Sequence, residues 1–273
     1  MQTLHSRRQV KRGFSLVELG VVIAIIALLA SMLLPALMRA KENGRTALCR
    51  SNMRQIMLGV FMYADEFEDY FPWPGGINAN QPASWVISEK PHATVTSSTP
   101  VGSLPPLHAE AGSVFNYVTG LPRVGDWDQP LVTHTTCYAA YRCPSTGALG
   151  QYRRVTYSLN SYLGPGLASS FAADPWPDSP VEDQRGVRRA AVIRPAQKAL
   201  LVDDVPENPT VGGFIPTPST PEYFARHPGT RHNGRVNLAF VDGHLGSLTY
   251  WKMMEMLADP YAGAATHFEP FSP

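Results

Sequence analysis

The stretch KRGFSLVELGVVIAIIALLASMLLPALMRAK, Lys11 to Lys41, decides the architecture. From Leu19 to Met38 it contains no charged residue, and those 20 residues, coiled as a helix at about 1.5 Å per residue, reach about 30 Å, the thickness of a bilayer core. A cleaved secretory signal would carry an apolar run of about 7–15 residues and then a small-residue cleavage site. Here the run is longer, and helical patterning continues straight through its end. The pattern predicts a single-pass membrane segment. Glu18 is its exception. A carboxylate inside a spanning helix costs about 2.5–3.5 kcal/mol unless it meets a partner or reaches the interface.

The flanks set an orientation. Residues 1–13 carry Arg7, Arg8, Lys11 and Arg12 and no acid, leaving 19 of the 23 basic residues to face 22 acids in the rest of the chain. Basic flanks stay cytoplasmic, so the N-terminus is expected inside and the remainder outside. A formal net charge of +1 over 273 residues offers no basic surface for nucleic acid. With 25 prolines and 22 glycines, the region beyond residue 70 reads as loop-rich and β-containing.

Beyond Pro35 the helical spacing persists. Cys49, Met53, Ile56, Met57, Val60, Phe61, Ala64 and Phe67 recur at three- and four-residue steps and form one apolar stripe. Arg39, Lys41, Arg45, Arg50 and Arg54 occupy much of the remainder. The helix should stop before Pro72, with the acids Asp65, Glu66, Glu68 and Asp69 unfavourably placed against its macrodipole.

Gly13-Phe14-Ser15-Leu16-Val17-Glu18 resembles the cleavage and methylation motif of type IV pilins and type II secretion pseudopilins. The resemblance implies cleavage by a prepilin peptidase between Gly13 and Phe14 and N-methylation of Phe14. It makes Glu18 the acid that serves assembly, meeting the free amino group of a neighbouring subunit's Phe14, and Pro35 the proline that commonly kinks the pilin helix. Cys49-Arg50-Ser51-Asn52-Met53-Arg54-Gln55 resembles the C-x-x-N-x-x-Q pattern of a pilin-like family that also carries a C-terminal H-x9-D-G motif, and Tyr141-Arg142-Cys143-Pro144-Ser145 resembles its CPS element. Implied partners are the prepilin peptidase, other pilin subunits in a filament, and an inner-membrane assembly platform.

Residues 72–135 are rich in turn formers and read as surface loops, with a short helix in the stretch 112–120. No P-loop, G-x-S-x-G or H-E-x-x-H pattern occurs. Cys49, Cys137 and Cys143 permit one disulfide in an oxidising space. Cys137 and Cys143 could close a small loop; Cys49 and Cys143 match the family positions. Both pairings stay open.

Two further stretches read as strands: VTYSLNSYLG, and QKALLVDD at 197–204. His232, nine intervening residues and Asp242-Gly243 fit H-x9-D-G. Asp-Gly between the alternating runs 236–241 and 244–250 predicts a type I′ hairpin turn, and Asn233-Gly234 a turn into its first strand. Asp203, Asp204, His232, Asp242 and His244 offer oxygen and imidazole donors for a divalent cation, although calcium prefers six to eight oxygens and histidine suits a transition metal. The simpler expectation is a hairpin whose His232 hydrogen-bonds the strand end at Asp203 and Asp204.

The chain is therefore expected to be an α+β, pilin-like protein. A leader (1–13) precedes a transmembrane and assembly helix (14–38) and its amphipathic continuation (39–70). An extracytoplasmic domain (71–273) follows, with an antiparallel sheet within 150–250. The expected role is a non-enzymatic filament subunit, of a secretion pseudopilus or a pilus, in the inner membrane and then in the filament. The alternatives are a membrane-anchored binding protein for glycans or envelope ligands, motivated by Trp73, Trp85, Trp127 and Trp176, and an anchored hydrolase using the His/Asp set.

Overall fold

The computed structural model describes residues 16–75, 82–88, 105–125, 133–164, 186–204, 213–214, 231–249 and 251–253. Gly13, Phe14, Trp127 and Trp176 lie outside the described residues. The chain divides into two units, Met1–Lys41 and Glu42–Pro273. Helix α1, Leu16–Glu66, begins in the first and ends in the second.

In the first unit α1 runs unbroken through Pro35. Its large apolar side chains from Leu16 to Met38 are exposed, and the segment is long and apolar enough to cross a membrane. Apolar surface on this scale is stable only against hydrocarbon or other apolar helices.

In the second unit the same helix becomes one-sided. Cys49, Met53, Ile56, Met57, Val60 and Ala64 are buried, as the three- and four-residue spacing requires, and Gly59 and Tyr63 join them. Gly59 allows close approach, since a Cβ there would stand 2.4 Å from the Val118 methyl carbon Cγ2. Phe67, the last residue of the stripe, stays exposed and stacks on Tyr63 at 4.2 Å between ring centroids. The acids at the helix end are answered by Arg189, whose guanidinium lies 2.6 Å from Asp65 and 2.9 Å from Asp69. Being largely exposed, these pairs are worth little in stability, but they offset the unfavourable dipole end.

The helix packs against a five-stranded sheet in the order β5-β3-β4-β6-β7, built from β3 (Tyr157–Asn160), β4 (Ala199–Asp203), β5 (Gly213–Phe214), β6 (Arg235–Phe240) and β7 (Leu245–Thr249). It is antiparallel except at its edge, where the two residues of β5 run parallel to β3. Tyr157, Leu159, Leu201 and Ala239 share a core with the α1 stripe, while Val202, Val236, Leu238 and Met253 form a second cluster. Burial on both faces explains why ALLV in β4 reads as a continuous apolar run. The former loop region contributes a second, two-stranded sheet, β1 (Ile87–Ser88) with β2 (Leu107–His108), and helix α2 (Phe115–Thr119); α3 (Gly147–Arg153) follows. Trp85 is a core residue, entirely buried.

The hairpin between β6 and β7 differs from the expected type I′ turn. Ala239 pairs with Leu245, the N–H of Phe240 donates to His244, and that of Gly243 to Phe240, which leaves a loop of Val241, Asp242 and Gly243. Among these only Gly243 has a left-handed backbone, at φ 97°. That is the three-residue loop with a glycine bulge, and Asp242 selects it by accepting the His244 N–H at 3.1 Å.

Candidate functional site

Four side chains from distant parts of the second unit converge beneath the helix. Cys49 comes from α1, Cys143 from the segment before α3, Asp203 from the end of β4, and His232 from the turn leading into β6. Asp203 lies two residues beyond Leu201 in β4, so it faces the helix as Leu201 does. His232 is followed by Asn233 and Gly234, and all three have positive φ (49°, 56° and 78°). A left-handed histidine is costly, of order 1–3 kcal/mol, and is held only where its surroundings demand it.

Its surroundings are specific on both sides of the ring. Nδ1 lies 3.0 Å from Thr46 Oγ1 and 3.3 Å from Glu42 Oε1. The Thr46 hydroxyl already donates to the Glu42 carbonyl, so Nδ1 must carry a proton and donate to Thr46. The backbone N–H of His232 donates to Glu42 Oε1 at 2.9 Å, and Ser145 donates to the same oxygen at 2.7 Å. Burial raises the Glu42 pKa, but these donors outweigh it and hold the carboxyl below its ordinary range. The opposite ring nitrogen, Nε2, faces Cys143 Sγ at 3.1 Å and Asp203 Oδ2 at 3.2 Å.

Asp203 is anchored in turn. Asn237 donates its backbone N–H to Oδ1 at 2.8 Å and its side-chain amide to Oδ2 at 3.1 Å. Cys49 Sγ is 3.9 Å from Oδ2 and 3.5 Å from the Tyr157 hydroxyl. All three cysteines are free thiols. The two buried ones titrate in opposite directions. The Cys49 thiol and the His232 ring both stabilise charge on Cys143 against the cost of burial, bringing it down to about 5. Cys49, which supplies that hydrogen bond and is itself buried beside Asp203, is pushed far up. Burial opposes the charge on His232, but Asp203 and Cys143 raise it to about 9.

The sequence-suggested donors are thus divided. Asp203 and His232 meet. Asp204 instead accepts from the Ser158 hydroxyl at 2.6 Å. Asp242 and His244 pair with each other at 2.6 Å on the partly exposed hairpin tip. Cys137 lies apart, half-buried, with its sulfur 4.0 Å from the Arg154 carbonyl. His232 is buried and Asp242 is engaged elsewhere, so the two do not share a network.

Glu42, Thr46 and Asn237 escaped the sequence reading, although Glu42, Thr46 and Cys49 fall at i, i+4 and i+7 on one helix face. So did a second buried group. Glu110 Oε1 lies 2.8 Å from Nδ1 of both His108 and His134, and 3.8 Å from Arg154. Burial raises its pKa, but the two imidazoles hold the carboxyl below its ordinary range. A depressed carboxyl stabilises the fold above its unfolded pKa and loses that contribution as pH falls through the folded value. The urea midpoint of the full chain in detergent should therefore drop between pH 6 and pH 3. The acid-limb drop should be smaller in Glu110→Gln than in the parent, and an unchanged limb would remove Glu110 from the account.

An apolar N-terminal helix that continues into a domain and packs there on an antiparallel sheet defines a pilin-like protein. A prokaryotic N-terminal methylation motif matches residues 8–34. Residues 38–187 match the family described as "Protein of unknown function (DUF1559)", and the chain belongs to that family. Both matches agree with the pilin-like resemblance read from the sequence, and the apolar helix with its motif fits an inner-membrane-anchored pilin. Cys49 and Cys143 lie inside the family span; His232 and Asp242-Gly243 lie beyond it. No curated protein and no solved structure matches the chain.

Proposed function

We propose that the protein is a structural subunit or minor pseudopilin of a type II secretion or type IV pilus-like filament, without enzymatic activity of its own. The observation that carries this reading is the methylation motif at residues 8–34 placed directly on an exposed apolar helix. The prepilin peptidase cuts after Gly13, and Phe14 becomes the N-methylated first residue. Before assembly the helix holds the protein in the inner membrane, N-terminus inside and the domain of residues 71–273 outside. In the filament Glu18 pairs with the Phe14 amine of the next subunit, which sets an opposite charge beside a carboxylate in hydrocarbon.

Mass spectrometry of the mature N-terminus tests the processing step: N-methyl-Phe14 is expected, and an intact Met1 or a cut near Ala30 sinks it. Glu18→Ala tests assembly. The variant should be cut as the parent is, yet its recovery in sheared filaments or in subunit cross-links should fall at least tenfold. Incorporation at the parent level would overturn the role given to Glu18.

A second reading, a membrane-anchored binder of glycans or envelope ligands, draws on one observation. A cavity of about 690 Å³ lies beside the end of α1, lined by Tyr63, Phe67, Trp73 and Tyr117 with Glu66 and Arg123. In that case Glu18→Ala would leave ligand capture intact.

A further inference from the structure

We propose that Cys49, Cys143, His232 and Asp203 form a tetrahedral transition-metal site, selective for zinc, which clamps helix α1 to the sheet. Three of the donor-to-donor distances lie within a few tenths of an ångström of ligand spacing. Around a zinc ion with bonds of about 2.0–2.3 Å, the edges of a tetrahedron measure about 3.3–3.8 Å. Here Cys143 Sγ to His232 Nε2 is 3.1 Å, His232 Nε2 to Asp203 Oδ2 is 3.2 Å, and Cys49 Sγ to Asp203 Oδ2 is 3.9 Å. The sulfurs and the imidazole nitrogen all fall within 4.8 Å of one another, on fully buried residues.

The surrounding shell is that of a metal ligand. A ligating histidine characteristically passes its other N–H to an oxygen acceptor, which fixes the tautomer and the ring. His232 does so through Nδ1, toward Thr46 and Glu42, and so turns Nε2 on the sulfurs. Asn237 orients the Asp203 carboxylate in the same way. Two thiolates, one imidazole and one carboxylate form a borderline-soft set that excludes calcium and magnesium and suits zinc. Loaded with a divalent ion, the site keeps one negative charge. Arg231 lies beside it to meet that charge: its Nη2 is 3.4 Å from the Asp203 carbonyl, and its Nε and Nη1 are buried without a hydrogen-bond partner among the described residues. The donors come from the helix, the segment before α3, β4 and the turn into β6, so one ion would tie together elements that are otherwise joined by packing and by the hydrogen bonds of Glu42, Thr46 and Asn237.

A disulfide between Cys49 and Cys143 would consume both sulfurs, and the two states exclude each other. The test uses the full chain in detergent, purified without oxygen, freed of metal by a chelator and titrated with Co²⁺. The expected result is one cobalt per chain, with a thiolate-to-cobalt charge-transfer band and tetrahedral ligand-field bands that Zn²⁺ abolishes. Cys143→Ser should lose about half of the thiolate band, and Cys137→Ser none of it. Glu42→Gln, which touches no metal, should keep the band but bind Zn²⁺ about 10–100-fold more weakly; it serves as the positioning test should Cys143→Ser fail to fold. Three results would overturn the proposal: a reduced parent chain with no thiolate band, a band removed by Cys137→Ser, or a Cys49–Cys143 disulfide trapped by alkylation in protein taken directly from membranes.

Discussion

Replacing Trp85 with alanine should cost about 3–5 kcal/mol of stability, the range for emptying a large aromatic site in a packed core. Trp85 is completely buried, and its ring stacks on Tyr141 with centroids 5.9 Å apart. Collapse around the cavity is hindered on its backbone side, where a Cβ on Gly112 would already lie 1.9 Å from the Trp85 carbonyl oxygen. Against a total stability of about 5–15 kcal/mol, such a loss is a large fraction of the whole. Urea unfolding of the full chain in detergent, followed by tryptophan-independent far-ultraviolet dichroism, measures it. A cost below about 1 kcal/mol would show that Trp85 packs far more loosely than the structure describes.

Asp203→Ala should be comparably damaging, at about 3–5 kcal/mol, because it strips the partner from a buried charged group. The carboxylate receives two hydrogen bonds from Asn237 and faces the His232 ring; without it the Asn237 N–H is left buried and unanswered, and the ring loses its charged partner at Nε2 and keeps only Cys143 there. Asp242→Ala provides the contrast. Its pairing with His244 is shorter, at 2.6 Å, yet it lies at a partly exposed hairpin tip. Surface pairs of that kind are worth about 0–1 kcal/mol. Equal losses from the two substitutions, measured by the same unfolding experiment, would contradict the burial argument.

The two substitutions also mark how far the sequence could be read. The buried face of α1 was legible up to Ala64, because burial of a helix face follows a local rule, while Phe67 at its end stays exposed. Cys49, Met53, Ile56, Met57, Val60 and Ala64 were placed correctly from spacing alone. Strands β3, β6 and β7 followed from alternation and from the turn residues at Asn233-Gly234 and Asp242-Gly243, and β4 from its short, continuous apolar run. The type of the hairpin turn did not, because Asp-Gly is compatible with two loop lengths and the side chain of Asp242 decides between them. The burial of Trp85 has no local signal, because its neighbours carry turn formers and no period. Its burial depends on a two-stranded sheet with a partner about 20 residues away, Ile87 on His108.

The candidate site shows the same division more sharply. Asp203 and His232 stood out as donors, but so did Asp204, Asp242 and His244, and nothing local separates them. Along β4, Asp203 and Asp204 are adjacent and therefore point to opposite faces, one to the helix and the other to Ser158. Cys49 and Cys143 stood out as a pair only through their resemblance to family positions. The left-handed backbone at His232, which aims the ring, has no signal beyond the glycine two residues later.

By itself the sequence determined the N-terminal character of this protein: a basic stretch, a glycine-aromatic step, an acid, and an apolar helix long enough for a bilayer. Hydrocarbon and a processing enzyme both act on a short contiguous stretch, so a contiguous pattern suffices. Only the tertiary structure decided that Glu42, Cys49, Cys143, Asp203 and His232 form one buried network. Their proximity depends on sheet order, on strand register and on the face each residue takes. A shift of one residue in β4 would have turned Asp204 to the helix in place of Asp203.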